Sequence, residues 1–74
     1  MIELTLLGLL NSMAGDYCRL RTNGEQTIPA LLISYSLAND RFGGKEVRRV
    51  VDTNEALIGA TAIAVVTTKC PQHL

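Results

Sequence analysis

Asn23-Gly24 is the feature that most constrains this chain, because it stands between two runs that read as strands, 16–22 and 25–37. An Asn-Gly pair accepts positive φ at little steric cost, and between two alternating runs it is the strongest short signal for a β-hairpin. In the first run Tyr17, Arg19 and Arg21 fall on one face of a strand and Cys18 and Leu20 on the other. In the second, Leu31, Ile33, Tyr35 and Leu37 share a face. A second strand that long, in a chain of 74 residues, has to bend and serve two sheet faces. Pro29 has no N–H to give a ladder and suits the bend. The hairpin therefore predicts a small, closed β-barrel.

The flanking segments fill in that barrel. Ile2, Leu6, Leu9, Leu10 and Met13 recur at helical spacing, and Leu4 and Leu7 widen the stripe. Glu3 suits the first turn of such a helix and Gly15 its C-cap, so the spacing predicts a helix over 2–14, packed as a lid on the barrel. Residues 38–44 (ANDRFGG) read as a loop. Residues 45–52 read as a third strand, and the same residues also continue as a helix through Glu55 to Ala60; both readings stay open. Residues 56–59 and 62–68 read as two short strands separated at Gly59-Ala60-Thr61. The expectation is a mainly β fold: an N-terminal helix followed by a five-stranded, strongly bent SH3-like barrel. It is one domain over 1–68, with the helix in 1–14 and the barrel in 15–68, and a frayed polar tail over 69–74.

Size and charge narrow the function. A chain this short buries only ~60% of its unfolded surface, so it leans on cross-links, metals or oligomerisation. Two cysteines, Cys18 and Cys70, are too few for a disulfide scaffold and read as free thiols suited to a reducing cytoplasm. Hydrophobic residues make up 47% of the chain and charged residues 19%, an excess that subunit contacts would absorb. Seven basic residues balance seven acidic ones, which argues against non-specific duplex binding. No apolar run reaches the ~18 residues of a membrane-spanning helix. The N-terminal segment has no positive n-region, so neither a membrane partner nor a signal peptide is expected.

The order of helix, hairpin with a long bent strand, third strand and two short strands resembles the Sm-like family of RNA-binding rings. Residues 15–24 and the run leading to Asn39 resemble the family's first motif, and residues 57–63 (LIGATAI) its second. The resemblance implies a homo-oligomeric ring closed through the last two strands, with Leu57, Ile63, Val65 and Val66 at the subunit contact. It also implies binding of single-stranded RNA, with Asn39 as the base-contacting loop residue. Arg41, Phe42 and Lys45 stand beside it, the Phe42 ring offering a stacking face. Ile58 occupies the place of an Arg that the family stacks on the base. That departure and the neutral charge favour a second reading, a structural or protein-binding barrel that acts as an adaptor without RNA.

Catalysis and metal binding find little to work with. Cys70 and His73 have the spacing of half a zinc site, but four ligands are needed and only Cys18 remains. The chain has one histidine, and Gly43-Gly44 lacks the rest of a phosphate-binding loop. The expectation is a non-enzymatic protein without cofactor.

Overall fold

The computed structural model describes residues 3–74 and overturns the β reading. Among the described residues there are four helices and no strand: α1 (Leu6–Thr22), α2 (Thr27–Phe42), α3 (Gly44–Thr53) and α4 (Ile58–Lys69), followed by a 3-10 turn at Pro71–His73. The five-stranded SH3-like or Sm-like barrel is therefore corrected to a small all-α fold. Ile2, where the first helix was expected to begin, lies outside the described residues.

α1 starts at Thr5, whose Oγ1 accepts a hydrogen bond from the Gly8 N–H at 3.0 Å, an ordinary N-cap. It does not stop at Gly15. Leu10, Ala14 and Tyr17 continue the buried stripe past it at spacings of four and three. Gly15 costs helix propensity of about 1 kcal/mol, and two turns of packed helix outweigh it. The expected strand over 16–22 is thus the C-terminal end of α1.

Asn23-Gly24 does turn the chain, by a different device. Gly24 has φ +99°, its N–H bonds to the Arg21 carbonyl at 3.1 Å, and the Glu25 N–H reaches back to Leu20 at 3.0 Å. That pair of bonds is a Schellman motif, which closes a helix with a residue of positive φ just beyond its end. A hairpin turn and a helix C-cap ask for the same backbone conformation, so the dipeptide alone does not tell them apart.

Pro29 lies in the first turn of α2, where its missing N–H leaves no helical bond unmade. The expected loop over 38–44 shrinks to Gly43, at φ +88°, between α2 and α3. α3 turns Val47 and Val50 inward, spaced three apart, so 45–53 are helical, but the helix ends at Thr53 and does not continue through Glu55 to Ala60. Of the two short strands expected over 56–59 and 62–68, Ala56 and Leu57 lie in a turn and the rest belongs to one helix, α4. Within it the Thr67 and Thr68 hydroxyls donate to the carbonyls of Ile63 and Ala64, so the threonines satisfy themselves locally.

α1 is the centre of the fold. α2 and α4 both lie along it and scarcely meet each other, while α3 crosses at the N-terminal end of α1. Leu9, Ala38, Val47 and Val50 join α1, α2 and α3; Leu10, Ala14 and Val65 join α1 and α4. Tyr17, Ala30 and Cys70 join α1, α2 and the tail. The tail is not frayed: Cys70 is buried and bonded to Cys18, closing a loop of 52 residues, with Cα atoms 5.9 Å apart. The free-thiol reading is corrected, and with it goes the ground on which a reducing compartment was expected.

Candidate interaction site

α2 is packed inside out. The residues it buries against α1 are Ala30, Ser34 and Ala38, a stripe of small side chains at spacings of four. Ser34 satisfies its hydroxyl on the Ala30 carbonyl at 2.7 Å and needs no partner from α1. Small residues let the two helices approach closely. They also send the large apolar residues outward: Ile28 is 63% exposed, Leu32 66%, Leu31 45% and Tyr35 40%. Ile28, Leu31, Leu32 and Tyr35 are spaced i, i+3, i+4, i+7, so they form one ridge on the outer side of the helix. No charged residue interrupts the sequence between Glu25 and Asp40. Isolated exposed leucines are ordinary, but an uncharged helical ridge of them is not.

Beside the ridge runs a groove. Because α2 and α4 are held apart on α1, a cavity of about 190 Å³ opens between them, lined by Tyr17, Leu31, Ala62, Ile63, Val66, His73 and Leu74. Deeper along α1, a smaller cavity of about 60 Å³ is lined by Leu10, Met13, Ala14 and Ser34 together with Tyr17, Leu31, Ala62 and Val66. α4 adds an apolar wall. Its sequence, IGATAIAVVTTK, has no charge before Lys69, and Ile63 on its outer side is 62% exposed. The other exposed positions of α4 before Lys69 are the small or hydroxylic Gly59, Ala60, Ala64, Thr67 and Thr68, so Ile63 is its one large apolar residue in solvent.

The C-terminal tail completes the groove and is fixed in place. The Cys18–Cys70 disulfide ties it to α1, and the Tyr17 hydroxyl donates to the His73 carbonyl at 2.9 Å. His73 Nε2 lies 3.5 Å from the Thr22 hydroxyl. Leu74 thereby lines the groove.

Charge is kept to other parts of the molecule. Asp16, buried at the α1–α2 contact, pairs with Arg19 at 3.0 Å and Arg41 at 3.4 Å, and Arg41 also donates to the Ser12 hydroxyl. At the α3 end, Arg49 pairs with Glu3 at 3.1 Å and donates to the Leu4 carbonyl at 2.9 Å. It also grips both carboxylate oxygens of Glu46, at 3.1 and 3.0 Å. Its hydrogen bonds hold the Glu46 carboxyl below the ordinary carboxylate range, and the same pairing raises the Arg49 guanidinium.

The residues expected to contact RNA lie on either side of the α2–α3 junction. Phe42 packs against the Leu9–Ala38–Val47–Val50 cluster, Arg41 is engaged with Asp16 and Ser12, and Lys45 stands exposed on α3. Asn39 is half-buried near the end of α2. Of the residues expected at a subunit contact, Val65 is buried against α1 and Val66 packs inside, whereas Leu57 and Ile63 face out. Ile58 packs on the α1–α4 cluster. Cys70 of the half zinc site is in the disulfide. Sequence reasoning missed Ile28 and Leu32. The signal that could have found them is the Ala30–Ser34–Ala38 stripe inside an uncharged run.

No family model, curated protein or solved structure matches the chain. The Sm-like resemblance has no support from these comparisons, and the helical fold contradicts it. Among the described residues no single helix is long and apolar enough to cross a membrane.

Proposed function

We propose that this protein is a non-enzymatic helical interaction module whose working surface is the apolar ridge and groove of α2 and α4. The observation that supports this reading is the inversion of α2, which buries Ala30, Ser34 and Ala38 and leaves Ile28, Leu31, Leu32 and Tyr35 in solvent. Leu32 is 66% and Ile63 62% exposed in the monomer. Burial of such side chains against a partner is worth about 1.5–3 kcal/mol each, so a partner has much to gain. The adaptor reading of the sequence thus carries over to a different fold. Binding of single-stranded RNA is the competing outcome of the same experiment.

The test is a fluorescence titration of dilute protein with an apolar naphthalene-sulfonate dye, beside titrations with labelled oligo-U and oligo-A. Dye is expected to bind the folded protein. The double variant L31Q/I63Q is expected to lose most of that binding while keeping the helical circular dichroism of the parent. Dye binding that is absent, or indifferent to both substitutions, would overturn the reading. Saturable binding of either oligonucleotide at micromolar protein would move it to nucleic acid.

A further inference from the structure

We infer that the groove between α2 and α4 is filled by a second copy of this chain, related by a two-fold axis that seats the α2 ridge of each copy in the groove of the other. The inference rests on the reading of this face as an interaction surface and names its occupant.

Shape is the first argument. A two-fold contact presents the same patch from both sides, so the patch has to complement itself. A ridge lying next to a groove on one face does so: rotation by half a turn brings ridge over groove twice. Leu32 and Ile28 stand at the crest of the ridge. The groove of about 190 Å³ is open to receive such side chains, since an apolar cavity of ~150 Å³ already takes a group the size of benzene.

Area is the second. From their fractional exposures, Ile28, Leu31, Leu32, Tyr35, Ile63 and Leu74 leave on the order of 600 Å² in solvent, at the top of the range for the largest apolar patch of a monomer. Each partner of a standard interface contributes about 800 Å², so this patch with its rim supplies what a stable dimer needs.

Charge is the third, and it separates a second copy from other occupants. An acidic or basic partner would find no counter-charge between Glu25 and Asp40 or on α4 before Lys69. Helices that lie on membranes carry Lys and Arg along their polar face. The one Arg of α2, Arg41, is already engaged with Asp16 and Ser12. A copy of this chain has the same uncharged surface, and at a net charge of zero the copies do not repel each other.

Light scattering during size exclusion, over a concentration series, tests the inference. The mass is expected to rise from one chain to two and to go no further. L32E on the ridge and I63E on the groove wall are each expected to shift the midpoint of association at least tenfold, with unchanged circular dichroism. L57E, which adds the same charge at an equally exposed leucine outside the groove, is expected to leave the midpoint in place. A monomer at every concentration would overturn the inference, as would a dimer that ignores I63E. The dye titration then separates two failures: a monomer that binds dye at the groove retains the interaction surface but not this occupant, and a monomer that does not bind dye has neither. Flotation with phosphatidylcholine vesicles, with and without an anionic lipid, is expected to leave the protein in the dense fraction. Co-flotation abolished by L32E would assign the face to lipid and overturn the dimer.

Discussion

The two ends of α1 are covered in opposite ways. At the N-terminal end Leu9, Val47 and Val50 turn their large side chains inward, α3 is sharply two-faced, and the Arg49 network lies outside the apolar cluster. At the C-terminal end α2 contributes only Ala30 to the core, with Val66 of α4 packed beside it, while Ile28, Leu31, Leu32 and Ile63 point away and a disulfide fixes the tail. One end is held by packing alone and the other by a smaller packed cluster together with a covalent bond. A covalent bond holds an element in place without using its outer surface, and that leaves the apolar residues there free for a partner.

Loss of the disulfide should separate the two ends most clearly. For a loop of 52 residues, the chain-entropy account assigns the cross-link about 4 kcal/mol. The C18S/C70S variant is expected to melt roughly 20 °C lower. Native-state hydrogen exchange is expected to show α4 and the tail opening before α3. Equal loss of protection in α3 and α4 would break the comparison. Leu9→Ala comes next. Leu9 is fully buried in the packed end, and a cavity there costs about 3 kcal/mol. It is expected to lower the melting temperature by over 10 °C and to weaken α3 at least as much as α4. Faster opening of α4 alone would show that the packed end does not depend on that cluster.

This contrast between ends also explains what the sequence disclosed. The stripe Leu6, Leu9, Leu10, Met13 is readable as helix because it is periodic and apolar, and the structure extends it through Tyr17. α3 is readable as one of two alternatives, since Val47 and Val51 fit a helix and a strand equally well over so few residues. α2 reads as a strand for a physical reason. A helix that buries alanine and serine and exposes leucine does not turn its most apolar face toward its own core, so alternation by two is the pattern left to see. The same inversion hides the candidate site: its ridge residues look like core. Asn23-Gly24 misleads because positive φ serves both hairpins and helix ends. The pairing of Cys18 with Cys70 is out of reach until the helices place both beside Tyr17 and Ala30.

The smallest expected effect sharpens the comparison from the charged side. Glu46 has its carboxyl pKa held below the usual range by the Arg49 guanidinium. The unfolded chain therefore takes up this proton at a higher pH than the folded one. Stability from the pair is present above the ordinary carboxylate pKa and is lost as pH falls through the lowered value. Both groups are at the surface, where such pairs count for little. Glu46→Gln is expected to lower the melting temperature slightly at neutral pH, and the gap from the parent is expected to close on acidification. Thermal melts of the two proteins across that range measure it. A gap of several degrees would mean that the Arg49 network holds the packed end together alongside the valines. A gap that stays constant into acid would mean that the Glu46 carboxylate is not what Arg49 needs. Arg49 would then tie α3 to the chain before α1 chiefly through the Leu4 carbonyl and Glu3.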